Sequence, residues 1–459
     1  MCIYDMQYSA LTNICRLGQE VVPVSRVAVK EGLRLGHLHY RDETHRELPH
    51  ILSFSGGRSS AALAFMAAGE GLLRPERGDL LLFANTSAEH PGTYDFAAEC
   101  KSRIEREFGL PFLWLEFCTV EDAWRGEYWR RDSYRLVKPV PIEEDPEGYR
   151  SRGEAFEELL SYQGMLPNPH SRTCTAKLKL YPSHKLLADW LGGTQGPAHA
   201  GHHWPAEDHE FGANLVCAEQ FADGYVRRGG SAPREQALLR AEHLASLPSQ
   251  RQAQRFADFT GAPLCKNLNG HSESRMAEPR PAPMRGPEAA GHVRLLGLRA
   301  DEPRRVDRVL LRCLFAEGAT TAGCTVKTQP PGERPYFPLY EAGVDADAVA
   351  DYWRGRDFDL DIPPGAGNCT FCFMKGTRQL IELSAAPDHR RNSGTPSEIG
   401  WWADVEQRHM RTEPSRHGDG ISTFGFFGVN AGTFDDLAHG CTGALSRYEQ
   451  GTPACDCTD

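Results

Sequence analysis

Three cysteines stand in sequence surroundings that suit metal or sulfur chemistry. Cys369 and Cys372 form a C-x-x-C within residues 367–376, and this spacing lets two thiolates face one metal ion or cluster. The same pair could instead work as a redox dithiol or as half of a structural zinc site. Cys174 is the natural third ligand. Candidates for a fourth ligand are Cys457 and Cys455, then Cys441, Cys324 and Cys265.

The surroundings of Cys174 are basic. Arg172, Lys177 and Lys179 lie close to it within residues 166–182. Neighbouring cations lower the pKa of a thiol and favour the thiolate, which is the form that attacks sulfur or binds a metal. We therefore expect a functional cysteine here rather than one that only fills the core.

Residues 51–60 predict an anion-binding loop. They read Ile-Leu-Ser-Phe-Ser-Gly-Gly-Arg-Ser-Ser, and residues 61–68 are rich in Ala, Leu, Phe and Met, so strand, glycine turn and helix follow in order. Gly56 and Gly57 permit backbone angles that a side chain forbids. They also let consecutive N–H groups converge on an anion at a helix N-terminus, where hydroxyls of Ser55, Ser59 and Ser60 add donors. An ordinary strand–turn–helix is the alternative.

The elements that position these residues form an α/β pattern. Apolar runs predict strands at residues 50–54, 80–84, 111–115 and 293–298, with helices at 59–68 and from a cap at Thr93 to Gly109. Strands alternating with helices predict a parallel twisted sheet with helices on both faces. Ligands of such sheets bind outside the carboxyl ends of the strands, where residues 55–60 and 85–89 would both lie.

The motifs together resemble the PP-loop ATP pyrophosphatase superfamily, which includes the PAPS reductases. Residues 51–60 resemble its S-G-G-x-x-S loop, and residues 83–91 its F-x-N-T-G-x-E-x-P segment, with Ser87 at the usual Gly. R-x-C-T around Cys174 and G-x-R-A-D-E-x-x-R at residues 297–305 extend the likeness. With the C-x-x-C, the chain resembles the iron–sulfur branch that includes the DndC-type sulfurtransferases of DNA phosphorothioation.

The resemblance implies a PP-loop core with an ATP site. The core covers residues 48–312 with an insertion at about 192–291, after a lead-in at 1–47 and before a smaller, helical, cysteine-containing region at 313–459. The loop would hold the pyrophosphate of ATP with Mg²⁺, although Arg58 replaces the Asp common in the family. The implied ATP-binding residues are Ser53, Ser55, Gly56, Gly57, Arg58, Ser59, Ser60, Asn85, Thr86 and Glu89.

The resemblance also implies catalytic and metal-binding residues. Arg58, Lys177, Lys179 and Arg299 would stabilise charge at phosphorus, beside Arg172 and the reactive Cys174. Cys174, Cys369, Cys372 and Cys457 would hold an iron–sulfur cluster of the 4Fe-4S type. From the cysteines alone, zinc is nearly as good an interpretation.

The implied function is an ATP-dependent sulfurtransferase that forms AMP and pyrophosphate, with sulfur from a donor such as a cysteine desulfurase. Nucleic acid is the favoured acceptor because residues 124–138 interleave arginines with aromatics, which suits phosphate contact and base stacking. An amphipathic surface helix is the alternative for that segment. Two further functions stay open: PAPS or APS reduction, and nucleotide or nucleic-acid binding without catalysis by a metal-stabilised protein.

Composition bounds these functions. The formal charge of −11 over 459 residues argues against wholesale coating of nucleic acid, although not against a local basic groove. No apolar run approaches the roughly 20 residues that span a membrane, and residues 1–16 lack a secretory pattern. We therefore expect a cytoplasmic protein, in which 14 cysteines indicate thiols, a metal or a cluster rather than disulfides. The oligomeric state is not indicated.

Overall fold

The computed structural model describes residues 33–124, 127–169, 171–192, 291–316, 333–414 and 420–440. The side chains of residues 120–131, 133, 188–192 and 311–316 lie outside the described part. So do most of the lead-in, most of the insertion and the cysteines at 265, 324, 441, 455 and 457.

One large sheet organises the chain. Its strands are β1 (His50–Phe54), β2 (Leu80–Asn85), β3 (Phe112–Trp124), β4 (Glu127–Pro141), β5 (Gly148–Tyr149), β6 (His292–Leu296) and β7 (Glu333–Tyr336). They lie in the order β5-β4-β3-β2-β1-β6-β7, in which β3, β2, β1, β6 and β7 are parallel and β4 is antiparallel to β3. The prediction of a mixed α/β fold is confirmed at this level, and the sheet is compatible with a Rossmann-like arrangement.

Helices lie on both faces of the sheet and in the C-terminal part of the chain. They are α1 (Arg58–Gly69), α2 (Pro91–Phe108), α3 (Glu154–Gln163), α4 (Tyr181–Gly192), α5 (Pro303–Ala316), α6 (Pro338–Glu341), α7 (Ala346–Arg354), α8 (Thr377–Ala385), α9 (Ile399–His409) and α10 (Phe434–Ala438). A π-helical segment, Thr175–Leu180, runs directly into α4. Short 3₁₀ turns cover Glu43–Glu47 and Pro75–Arg77. Among the described helices, none has the length and apolar character needed to cross a membrane.

Successive residues of the inner strands face opposite sides, and both sides are buried. Leu52 and Phe54 pack with the apolar residues of α1 and α2, whereas Ile51 packs with Leu186 and Leu187 of α4. Strands buried on both faces read as continuous apolar runs, which is why β1 and β2 could be located from sequence.

The C-terminal half contributes to two different parts of the fold. β7 and α7 belong to the main sheet and its core, through Tyr336 and Trp353, so the sheet extends past the boundary that we placed at residue 312. Residues beyond 366 form a second apolar cluster with Phe156 of α3. This cluster carries the C-x-x-C and a small sheet of β8 (Arg411–Pro414), β9 (Ile421–Gly425) and β10 (Gly428–Val429).

One local prediction and one alternative interpretation are wrong. Thr93 does not cap α2, because the cap is His90, whose Nδ1 accepts from the N–H of Gly92 at 3.0 Å. Residues 124–138 do not form a helix: they lie in the hairpin of β3 and β4, where Trp114–Trp124 pairs with Glu127–Val137. The prediction that α2 ends at Gly109 is confirmed, with the glycine in the left-handed conformation at φ +64°.

Candidate functional site

The glycine loop follows β1 and begins α1. Gly56 has φ +83°, and a β-carbon there would lie 2.6 Å from Thr93 Cγ2, so a side chain is excluded. Gly57 is the N-cap of α1 and supplies no side-chain hydrogen bond to the first turn. The backbone N–H groups of that turn are therefore left for another acceptor, at the end of the helix where negative charge is favoured.

The hydroxyls of the loop serines are all hydrogen-bonded within the protein. Ser60 Oγ accepts from the N–H of Ser55 at 3.1 Å and lies 2.9 Å from Ser55 Oγ, so this pair closes the loop on itself. Ser59 Oγ accepts from Arg299 Nη1 at 2.9 Å. Ser53 is used elsewhere, because its hydroxyl accepts from Arg294 Nε within the sheet at 2.8 Å.

The loop lies at a topological switch point of the sheet. The strands on either side of β1 are β2 and β6, and the loops after β1 and β6 meet outside their carboxyl ends. Gly297, which directly follows β6, packs so closely that a β-carbon would lie 2.9 Å from Ser60 Cα. Arg299 then reaches Ser59, with Asp301 at 3.1 Å and Glu302 at 3.5 Å fixing its guanidinium. One cation is thus held beside the N-terminus of α1.

Arg58 is held by a different part of the chain. Its guanidinium makes a bidentate pair with Asp359 at 2.7 and 2.8 Å and also donates to the carbonyl of Leu360 at 2.8 Å. The side chain of Arg58 is therefore held by the chain segment before the C-x-x-C.

The residues after β2 tie the loop region to the rest of the site. Asn85 is buried and uses its whole amide internally: Nδ2 donates to Glu116 and to the carbonyl of Arg150, and Oδ1 accepts from Ser87 N and Tyr94 Oη. It shapes this turn rather than offering atoms to a ligand. Thr86 Oγ1 donates to Glu89 Oε1 at 3.0 Å. The other oxygen of Glu89 is buried without a hydrogen-bond partner in the described part of the chain.

One cavity brings the three predicted cysteines together. Cys174, Cys369 and Cys372 line it with Thr86 and Lys179, and its apolar wall consists of Phe156, Leu178, Phe373 and Trp402. The π-helical segment explains how Cys174 and Lys179 share the cavity, since i→i+5 hydrogen bonding brings residues five apart onto one face. Cys369 Sγ lies 3.5 Å from Thr86 Oγ1, so the cavity borders the loop after β2.

The C-x-x-C turn is held by its own neighbours. Lys375 Nζ donates to the carbonyls of Cys369 at 3.0 Å and Thr370 at 2.7 Å. The N–H of Thr370 donates to Ala88 O at 3.0 Å, and Glu89 forms a β-bridge with Cys369. The turn is therefore docked onto the loop after β2, in a geometry that local sequence does not specify.

Charge around the cavity is mixed. Lys179 Nζ lies 3.6 Å from Glu89 Oε1. Burial raises the pKa of the Cys369 thiol well above its usual range and Glu89 adds to the rise, while Lys179 opposes it. Lys177 points elsewhere, since it pairs with Asp132 at 3.5 Å and lies over the Tyr181 ring at 4.6 Å. Arg172 is half-buried and does not line the cavity.

The donor set suits a thiophilic centre, although it is incomplete in the described residues. Within the described ranges, no group of three or more His, Cys, Asp or Glu side chains is arranged to hold a metal ion. Three thiols nevertheless share the cavity. Cys457, our fourth ligand, lies outside the described residues.

The arginine- and aromatic-rich segment offers less to a ligand than its sequence indicates. Tyr134 is buried, and so is Arg135, which lies 3.6 Å from Glu116 and donates to Gly148 O at 2.6 Å. Lys138 pairs with Asp145 and Glu147. The side chains of residues 124–131 lie outside the described part.

Sequence reasoning missed three features of the site. Ser87 has φ +58° and its hydroxyl accepts from the N–H groups of Ala155 and Phe156. The buried Arg150 joins Glu116 at 2.7 Å to Glu158 at 2.8 Å and thereby anchors the Asn85 turn. Asp359, which holds Arg58, belongs to an alternating run at residues 357–362 that a period-two search would have found.

Comparison with family models, with curated proteins and with solved structures gives no match for this chain. Its class is therefore defined by the fold: a mixed α/β protein with a seven-stranded, mostly parallel sheet flanked by helices.

Proposed function

We propose that this protein is an ATP-dependent sulfurtransferase of the PP-loop type, which forms AMP and pyrophosphate. The observation that carries the proposal is the three-cysteine cavity, which borders the loop after β2 through Thr86, one strand away from an uncapped glycine loop. An anion-binding turn and a thiol cluster at one edge of a sheet suit a reaction that uses a nucleoside triphosphate and moves sulfur.

In the first half-reaction, an oxygen of the acceptor attacks the α-phosphorus of ATP, and pyrophosphate leaves. The N–H groups of the first turn of α1 and the guanidinium of Arg299 would stabilise the departing charge. Mg²⁺ would accompany the triphosphate as part of the substrate complex. The product is an adenylated acceptor.

In the second half-reaction, a hydrosulfide sulfur attacks the adenylated centre and AMP leaves with the acceptor oxygen. The sulfur supplies the electron pair of the new bond, and the phosphate of AMP keeps the pair of the broken bond. Lys179 would favour an anionic sulfur in the cavity. A cysteine desulfurase together with a thiol reductant is a suitable donor, because the persulfide sulfur must gain two electrons to become hydrosulfide.

A 4Fe-4S cluster bound by Cys174, Cys369 and Cys372, with Cys457 as fourth ligand, would supply the place at which sulfur is held. The support for this cluster is that the three cysteines line one cavity. Zinc is the alternative that metal analysis must test.

Nucleic acid remains our proposed acceptor. Its support is the sequence of residues 124–131, because Tyr134 and Arg135 are committed to the interior. Thiolation of a nucleic acid supplied with ATP, Mg²⁺ and sulfide would support this acceptor. If neither DNA nor RNA is thiolated, the result would indicate that the acceptor is a smaller molecule.

The decisive experiment follows the fate of ATP. Protein purified without oxygen is incubated with ATP, Mg²⁺, sulfide and nucleic acid, and the nucleotide products are separated. We expect AMP and pyrophosphate, with loss of thiolated product in Cys369→Ser and retention in Cys118→Ser, a buried cysteine outside the cavity. ADP and phosphate as the only products would contradict the proposal, and sulfite release from PAPS would favour the reductase alternative.

A further inference from the structure

Residues 357–362 form a segment without helix or strand, here called the acidic strap, that crosses α2 from Arg103 to Gly92 and contacts the first residue of α1. They read Asp-Phe-Asp-Leu-Asp-Ile. The three apolar residues face the core: Phe358 packs against Phe65, Phe96 and Trp353, Leu360 is buried, and Ile362 contacts both apolar clusters. Gly92 of α2 allows the crossing, since a β-carbon there would lie 2.9 Å from Ile362 Cγ2 and would also collide with the Asp361 carbonyl.

The three aspartates of the strap each pair with an arginine from a different element. Asp357 pairs with Arg103 of α2 at 2.8 Å, Asp359 with Arg58 of α1 at 2.7 Å, and Asp361 with Arg390 at 3.1 Å. Of these, only the Arg58 pair lies at the glycine loop, because Arg58 directly follows Gly57 and is the first residue of α1.

We propose that Asp359 is a competitor of the phosphate chain for Arg58: it holds the guanidinium on the strap until a pyrophosphate or triphosphate displaces it. This inference rests on the proposed function, which places phosphate at the glycine loop. Asp359 is then a positioning residue: by holding the guanidinium of Arg58, it lowers the affinity of the loop for phosphate.

The pair has the properties that such an exchange needs. Arg58 and Asp359 are 44% and 39% exposed, so water screens the pair and its rupture costs little. The guanidinium fork suits phosphate oxygens as well as it suits a carboxylate, and a phosphate chain carries more negative charge. The strap itself stays in place when the pair opens, because the Asp357 and Asp361 pairs and the buried Leu360 hold it.

The test measures the binding of magnesium pyrophosphate and of ATP to the full chain by titration calorimetry. We expect Asp359→Ala to bind pyrophosphate about threefold more tightly than the natural protein, on the scale of one exposed bidentate pair. Asp357→Ala is the matched control: it removes an equivalent aspartate–arginine pair away from the loop and should leave the affinity unchanged. Arg58→Ala should bind more weakly, and adding Asp359→Ala to it should change nothing further.

The outcomes separate the two proposals. If the natural protein binds pyrophosphate and Asp359→Ala binds it equally well or more weakly, the role of Asp359 is overturned. The phosphate site would remain supported. Tighter binding by Asp359→Ala that persists in the Arg58→Ala background would also overturn it, because the effect would then not pass through Arg58. Absence of binding by every variant would overturn the phosphate site, and the role of Asp359 with it.

Discussion

Ser87 Oγ accepts a hydrogen bond from the backbone N–H of Ala155 at 2.8 Å and so caps α3 from another part of the chain. The cap of α3 within its own sequence is Gly153, which has no side chain to offer. Ser87 itself adopts φ +58°, where a residue with a β-carbon is strained. The backbone strain at Ser87 is therefore offset by its hydrogen bond to the first turn of α3, which fixes the loop after β2 against that helix.

Substitutions at Ser87 should separate these two effects. Ser87→Ala keeps the strain and loses the cap, so we expect it to lower the free energy of unfolding by about 1–2 kcal/mol. Ser87→Gly loses the cap but relieves the strain, so its free energy of unfolding should fall by less than that of Ser87→Ala. Urea denaturation measures both. A glycine variant that is less stable than the alanine variant would contradict this account.

His50 should make stability depend on pH below neutrality. Its ring is buried between Tyr40 Oη and the carbonyl of Leu48, and burial, with the charge of Arg77 adding, lowers its pKa from 6.5 to about 3. The unfolded chain therefore binds a proton that the folded chain excludes, and stability falls as the pH drops below 6.5. At pH 5 the loss is on the order of 2 kcal/mol.

The measurement for His50 is the urea midpoint at pH 7.5 and at pH 5.0. His50→Gln removes the titrating group, so we expect a smaller difference between the two pH values than in the natural protein. Equal pH dependence in both proteins would show that groups other than His50 dominate the acid response.

Gly297→Ala should damage the crevice at the switch point. The added β-carbon would lie 2.9 Å from Ser60 Cα and 3.0 Å from Ser60 N, and these are backbone atoms that cannot rotate away. We expect the start of α1 to be displaced, with at least a tenfold loss of magnesium pyrophosphate binding and a loss of stability of about 1–3 kcal/mol. Gly69→Ala, at the open end of the same helix, is the control and should leave binding unchanged. Unchanged binding by Gly297→Ala would show that phosphate does not use this turn.

Lys375→Met should loosen the C-x-x-C turn without removing a thiol. The ammonium donates to two carbonyls of the turn, at Cys369 and Thr370, and methionine keeps most of the stem but not the donors. We expect lower iron and sulfide content after purification without oxygen, while circular dichroism stays that of the natural protein. Arg378→Met, at an exposed pair on α8, is the control. Full iron content in the lysine variant would mean that the turn is held by its other contacts.

The sequence alone was sufficient to predict features that depend on residues close together in the chain. The strand β1 was predicted at residues 50–54 and is found there, because a strand buried on both faces is mostly apolar. The glycine turn was predictable because a backbone angle such as φ +83° at Gly56 strongly favours glycine. The Trp124–Lys138 segment was less informative, because it lies in the hairpin of β3 and β4, where Tyr134 and Arg135 are buried rather than available to a ligand.

The amino-acid sequence determined the residue types of the site and the strand, turn and helix around each motif, since propensity and periodicity act over a few residues. Tertiary structure alone decided which of those residues meet. It placed Cys174 beside Cys369 and Cys372, committed Asn85 and Ser87 to holding the loop, and turned Lys177 and Arg58 away. Such choices depend on packing and charge pairing between segments far apart in the chain, which no local pattern records.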